Sequence, residues 1–308
     1  MVVGMVCTGV RAEEKMLAAA FSARDVELHV VDDRTIHGDL GSWPEALPRV
    51  DAVLLRSKSH WRNVVIAHWL ETLGGRPVNA SRVIETCGDK VLTTLALLKE
   101  DVPTLSASVA FATPSGDKAA EAIGYPLVVK PVIGSWGRLI GKVNDRDALD
   151  LALDHKAALG GAAHTVTYLQ RFVETGGRDI RAFVVDGRCI AAIARTSEGW
   201  KTNTALGAAA TGLELDPDLV DVSEAAAMAV GGGMVAVDLF ETDDGYLVNE
   251  VNATMEFRNS VETTGVDIPG FIADYVIRHA ETGQAEGAVA AARAKASVAA
   301  ASAKGPVA

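Results

Sequence analysis

The sequence predicts a mixed α/β chain: a doubly wound N-terminal unit, a small central α+β unit and a C-terminal unit of antiparallel sheet. Short apolar strands alternate with helical patterns over the first eighty or so residues, which implies a parallel sheet covered by helices. From about residue 91 that alternation stops, and a glycine-rich hairpin follows, "VVKPVIGSWGRLIGKV" at 128–143. Beyond it, strand-rich stretches carry tight turns at Asp186-Gly187 and Asp244-Gly245, the signal of antiparallel pairs.

Taken in order, "VVGMVCTG" is a buried strand, followed by an apolar helix through Ala18 to Phe21. "VELHVVDD" and "VDAVLLRSK" are the next strands, and "WRNVVIAHWLETLG" is a helix ended by Gly74. "RPVNASRVIETCGDK" supplies a short strand and a helix from about Ser81. This unit lacks G-x-G-x-x-G, so nothing places a dinucleotide in it. The central unit holds a helix over Leu92 to Lys99, the extended "DVPTLSASVAFA", a second helix, the hairpin and a helix near 146–155. "HTVTYLQRFV", "RDIRAFVVDGRCIAAIAR" and "GGMVAVDLFETDDGYLVNEVNAT" read as antiparallel strands, with an apolar helix over 222–230. From about Gln284 alanine dominates and large apolar residues vanish, so 284–308 reads as a frayed helix or a disordered tail. The expected boundaries are therefore 1–90, 91–168 and 169–283, with the tail behind them.

The chain has 308 residues, of which 49% are apolar, enough for a sizeable core. No apolar run is long enough for a membrane helix, and the opening residues do not read as a secretory leader. Cys7, Cys87 and Cys189 are scattered without metal-binding spacing, which suggests reduced thiols and a cytoplasmic setting. A net charge of −11 argues against general nucleic-acid binding. An acidic partner would need a local basic patch to dock on.

The strongest chemical signal lies in "VAVDLFETDDGYLVNEVNATMEFRNS". Asp238 ends one strand. Glu250 and Asn252 stand two apart on the next and so share a face. Two carboxylates and an amide oxygen are hard ligands, suited to Mg²⁺ with substrate phosphates completing the shell. Spacing alone leaves open a solvated hairpin with a polar face. The apolar setting favours ligands, because buried carboxylates need partners. Lys130 closes a strand beside Gly134, Ser135, Trp136 and Gly137, a loop whose backbone could approach a phosphate. As a strand-end residue Lys130 is also an ordinary surface lysine, and Lys90 an ordinary helix residue. Arg181 and Arg195 lie in apolar strands, an uncommon place for an unpaired guanidinium. Asn203 in "GWKTNTALG" is a turn residue or a ligand to metal-bound phosphate.

The order of these motifs resembles the ATP-grasp superfamily, in the arrangement of the RimK-like carboxylate–amine ligases. "KPVIGSWGRL", "GRDIRAFVV" and "LVNEVN" with "DIPG" are most similar to the LysX branch, which joins α-aminoadipate to an amino-group carrier protein in lysine biosynthesis. The likeness covers roughly residues 1 to 280. It implies an ATP-grasp fold with a pre-ATP-grasp domain, a lid domain and a C-terminal domain. It also implies that Lys90 and Lys130 touch nucleotide phosphates and that the Gly134–Gly141 loop closes over them. Gln170, Arg171, Phe172 and Val173 would form the hinge beside adenine, with Glu174 reaching the ribose. Asp179 and Arg181, as the D-x-R motif, would belong to the nucleotide site. Asp238, Glu250 and Asn252 would hold two Mg²⁺, and Arg181, Arg195 and Asn203 would serve the phosphoryl transfer. The activity implied is ATP-dependent activation of a carrier's C-terminal glutamate side chain as an acyl phosphate, then attack by an amino acid's α-amine. The implied partners are a small acidic carrier ending in glutamate, the amino acid, and further copies of the chain as a homodimer or homotetramer. Another RimK-like ligase, adding glutamate to a protein or peptide, and a glutamate–carrier ligase of the ArgX branch are the alternatives.

Two details bear on substrate and partner. Asn259-Ser260, after Arg258, resembles the aminoadipate branch, where the glutamate branch tends to carry Gly-Phe. Leu206 departs from the branch, which resembles "TNTARGG" there; Lys201 or Arg258 would have to supply the missing charge, or the amino acid differs. "LLRSKSHWRN" offers Arg56, Lys58 and Arg62 at the carboxyl end of a strand, where open α/β sheets place ligands, as a docking patch for the carrier. A solvated loop is the alternative.

Overall fold

The computed structural model describes residues 1–134, 139–161, 164–202 and 207–282. These fall into two compact units: Met1–Ser81 with the segment from Pro269, and Arg82–Ile268. Ser135, Trp136, Gly137, Asn203, Leu206 and the tail expected at 284–308 lie outside the described residues.

The first unit is built from β1 (Val2–Cys7), α1 (Ala12–Ser22), β2 (Glu27–Asp32), β3 (Ala52–Arg56), α2 (His60–Thr72) and β4 (Pro77–Val78). Its sheet runs β2-β1-β3-β4, and all its pairings are parallel. The apolar runs of β1 and β3 suit strands covered on both faces: Val3, Met5, Val6 and Ala52–Leu55 are buried. A helix over 268–282 returns to this unit, where Asp274 accepts hydrogen bonds from Arg24 at 2.6 and 2.9 Å.

Arg56 is not a docking residue, contrary to the sequence expectation. Its side chain is fully buried and its Nε donates to Oε1 of Glu14 at 3.0 Å. The cause is topological. The strand ends against the first turn of α1, so its guanidinium meets the buried carboxylate of Glu14 and not solvent. Burial alone would raise the pKa of Glu14, but hydrogen bonds and charge from Arg11 and Arg56 hold it below the ordinary carboxylate value. Lys58 and Arg62 remain exposed, with Arg62 donating to Oδ1 of Asp33 at 2.9 Å.

The second unit contains α3 (Ser81–Gly88), α4 (Lys90–Lys99), β5 (Ala107–Ala110), α5 (Thr113–Ile123), β6 (Leu127–Lys130), β7 (Gly141–Val143), α6 (Arg146–Leu159), β8 (Thr167–Arg171), β9 (Arg178–Val185), β10 (Arg188–Thr196), β11 (Ala209–Leu213), α7 (Pro217–Ala229), β12 (Met234–Thr242), β13 (Gly245–Asn252) and α8 (Arg258–Thr264). They form an antiparallel four-stranded sheet, β5-β8-β6-β7, and an antiparallel five-stranded sheet, β11-β10-β9-β12-β13. Leu127, Val129, Val143 and Leu169 pack with Leu149 and Leu153 of α6 beneath the smaller sheet. Ile180, Val184, Val235, Val237 and Val248 of the larger sheet pack with Leu97 of α4 and Leu219 and Ala226 of α7.

The glycine-rich hairpin is present: Leu127 pairs with Val143 and Val129 with Gly141. The helix expected over 222–230 begins earlier, at Pro217. Apolar periodicity misses this first turn because a cap sets it: Asp216 accepts from the Leu219 N–H at 2.9 Å, and proline takes the first helical position. The turn placed at Asp244-Gly245 is shifted by one residue. Thr242 pairs with Gly245, so Asp243 and Asp244 form the tip and Gly245 opens β13 with φ 108°. At Asp186 and Gly187, φ values of 54° and 73° give the left-handed pair that a two-residue hairpin between β9 and β10 requires.

Candidate functional site

The five-stranded sheet sets the candidate residues in cross-strand register. Arg195 of β10 lies opposite Asp179 of β9, Arg181 of β9 opposite Asp238 of β12, and Asp238 opposite Glu250 of β13. Directly opposed residues of an antiparallel pair project to the same face, so these side chains meet although the sequence scatters them.

Between β12 and β13 the register shifts: Asp238 pairs with Glu250, but Leu239 pairs with Val248. Asn249 is the extra residue of this bulge. A bulge re-aims a side chain, and Asn249 uses it to accept a hydrogen bond from Nζ of Lys130 at 2.9 Å. Sequence reasoning missed Asn249. Its signal was "VNEVN", in which two consecutive polar residues break an alternation that one face of a strand would keep.

The two lysines converge on the same segment. Lys90, first residue of α4, donates from Nζ to Oε1 of Glu250 at 3.2 Å and to the Gly134 carbonyl at 3.0 Å. Asp89 caps α4 by accepting from the Val91 and Leu92 N–H groups, and Lys90 N–H donates to the Val132 carbonyl at 3.0 Å. The root of the hairpin is thus tied to the helix start. Both lysines are buried. Burial pushes Lys130 down to about 8; Glu250 opposes that shift and the Lys90 charge adds to it.

Two aspartates and two arginines form a buried network beside them. Arg195 grips Asp179 through Nε and a terminal nitrogen at 2.7 and 2.5 Å, and the same terminal nitrogen lies 3.3 Å from Oδ2 of Asp238. Arg181 grips Asp238 in the same bidentate fashion at 2.7 and 2.8 Å. Nδ2 of Asn252 reaches Oδ2 of Asp238 at 3.4 Å. The two carboxylates titrate in opposite directions. For Asp238 burial would raise the pKa, but Arg181 and Arg195 outweigh it and hold it down to about 2. Asp179 has one guanidinium, and burial leaves its pKa raised.

Gln170 and Arg171, at the end of β8, and Phe172 and Val173, just after it, run along the edge of the same cleft, which Lys130, Asp179, Arg195, Asp238 and Glu250 also line. Gln170 is buried, its Nε2 donating to the Tyr168 hydroxyl at 3.3 Å. The Phe172 ring carries Nζ of Lys142 at 3.7 Å from its centroid and meets Trp200 edge-on at 6.0 Å. Lys201 donates to the Ile140 carbonyl at 2.8 Å, so it lines the cleft with its ammonium turned to the hairpin. Lys142, Trp200 and Asn249 had no place in the sequence reading of the site.

Other expected residues are not among those that line this cleft. Glu174 is exposed beyond the hinge. Arg258 and Asn259 are exposed and bonded to each other at 3.2 Å, while Ser260 is buried. Among the described residues no group of three or more His, Cys, Asp or Glu side chains could hold a metal. Asp238, Glu250 and Asn252 are a partial oxygen set, which fits a hard cation that takes its other ligands from phosphate. Among the described residues no helix is long and apolar enough to cross a membrane.

Comparison with known proteins matches residues 3–86 to the LysX preATP-grasp domain and residues 87–276 to the RimK-like ATP-grasp domain. The chain is similar to the glutamate–LysW ligase ArgX of Sulfurisphaera tokodaii, 31% identical over 270 residues, covering 87% of this chain and 95% of that one. It is also similar to the α-aminoadipate–LysW ligase LysX of Saccharolobus solfataricus, 34% identical over 224 residues, covering 72% and 82%. A crystal structure of a RimK domain ATP-grasp protein from Sphaerobacter thermophilus superposes with a TM-score of 0.73 at 25% identity, covering 90% of this chain and 100% of that one.

Proposed function

The chain belongs to the RimK-like ATP-grasp family, and on that premise we propose that it is a ligase for an amino-group carrier protein. It activates the side-chain carboxyl of the carrier's C-terminal glutamate with ATP and joins it to the α-amino group of α-aminoadipate or a related amino acid. The observation that carries this reading is the convergence of two buried ammoniums, Lys90 and Lys130, on Asn249 and Glu250 of β13, beside Asp238.

The chemistry asks for such an arrangement. A carboxylate repels an approaching amine, and phosphorylation makes it an electrophile. Lys90 and Lys130 bind and orient the phosphates by point charge. Asp238, Glu250 and Asn252 would hold Mg²⁺, two ions in this reading, which offsets phosphate charge when bound. The β6–β7 hairpin and the Gln170–Val173 hinge close the site and exclude water, which would hydrolyse the acyl phosphate. Arg195, pinned by Asp179, is a fixed positive charge for the transferred group. Lys58 and Arg62 remain as exposed cations for an acidic carrier, without Arg56.

The Asn259-Ser260 pair supports α-aminoadipate. The wide coverage of the ArgX relative supports glutamate as a second reading. The test is ADP release with ATP, Mg²⁺, an acidic carrier ending in glutamate, and either amino acid. The proposal expects turnover that needs carrier and amino acid together. Turnover on amino acid alone would make it a small-molecule ligase, and nucleotide binding without turnover would make it a regulator.

A further inference from the structure

Asp238 stands in the candidate metal set with its carboxylate already crowded: among the described residues three donors fall on Oδ2 and one on Oδ1. Arg181 spans both oxygens, and Oδ2 receives Arg195 and Asn252 as well. The two guanidiniums are not equivalent. Arg195 is 3% exposed and anchored by its own bidentate bonds to Asp179, so it keeps a partner if it loses Asp238. Arg181 is 15% exposed, and its side-chain bonds among the described residues run to Asp238 alone. A divalent cation on Asp238 must approach the two oxygens that Arg181 spans; a bidentate one takes the positions of both Arg181 bonds, and any cation repels the guanidinium at that range.

We propose that Arg181 is an exchangeable counter-ion for Asp238: it and the divalent cation compete for one carboxylate, and loading the cation releases the guanidinium. This rests on Asp238 being a metal ligand. The two cations are then negatively coupled, and weakening one strengthens the other. Arg195 limits the cost of the exchange, because Asp238 is never stripped of every positive neighbour.

The test measures Mn²⁺ affinity of the full chain by electron paramagnetic resonance, with a non-hydrolysable ATP analogue present. Competition expects Arg181→Met to bind Mn²⁺ on the order of fivefold tighter than the parent, the size of an ordinary coupling between two ligands. Arg181→Lys keeps the charge but loses the fork, so it should tighten binding by a smaller factor, and it serves should the methionine variant fail to fold. A merely structural arginine would leave the affinity unchanged or weaken it. Asp238→Asn should weaken Mn²⁺ binding at least about tenfold, no less than the loss of a group that supports a metal ligand. Weaker or unchanged Mn²⁺ binding in the folded Arg181 variants, with Asp238→Asn impaired, overturns the exchange and leaves the metal site standing. Unchanged binding in Asp238→Asn overturns the exchange together with the site reading beneath it.

Discussion

The ammonium of Lys90 lies 3.2 Å from Oε1 of Glu250, a residue 160 positions away. The same ammonium holds the carbonyl of Gly134. One side chain therefore ties the start of α4, the root of the β6–β7 hairpin and the strand that carries the candidate metal ligands. Lys90→Met should lower kcat/KM for ATP by about 2–3 kcal/mol, or roughly 30- to 150-fold, as for other fixed electrostatic donors. Steady-state kinetics read this directly, and a value near that of the parent removes Lys90 from the phosphate site.

Glu250→Gln keeps the shape and removes a negative charge. It should fold, because Glu250 is only partly buried and an amide oxygen can still accept the hydrogen bond from Lys90. Turnover should fall by about 10² or more at ordinary Mg²⁺, the loss expected for a removed metal ligand. Near-parent rates at saturating Mg²⁺ would contradict its assignment.

Lys130 makes nucleotide binding pH-dependent. Burial sets its pKa to about 8, below the ordinary 10.5, so it begins to lose its proton just above neutral pH. Bound phosphate favours the ammonium, so binding takes up protons above pH 8, and affinity falls as pH rises beyond that value. Stability responds in the opposite sense. Between 8 and 10.5 the unfolded chain binds more protons at this group than the folded one, so its contribution to stability rises with pH. Calorimetry at pH 8.5 in buffers of different ionisation enthalpy should show proton uptake on nucleotide binding, and Lys130→Met should abolish it.

The Asp179–Arg195 pair is buried on both sides. Asp179→Ala removes the bidentate partner of a buried guanidinium, leaving it the 3.3 Å contact with Asp238, and should cost about 3 kcal/mol of folding stability. The double variant Asp179→Ala with Arg195→Met should recover part of that loss. Urea unfolding of the single and double variants measures the difference; equal losses would mean that the charge pair is not what the single change breaks.

Element types and residue chemistry were legible in the sequence alone. Alternating apolar strands and helices specified the parallel unit, and Asp186-Gly187 specified a hairpin, because hydrophobic period and turn geometry are local properties. The motif order carried the family for the same reason, since residue types and spacings are what sequence preserves. Which charges pair depends on long-range packing instead. Arg56 looked like a surface cation until its strand ended on Glu14. Asn249, absent from the sequence reading, meets Lys130 only because the bulge aims it there. Asp238 stood out as a ligand, but that two arginines share it follows from strand order β10-β9-β12, a long-range pairing that no local pattern encodes.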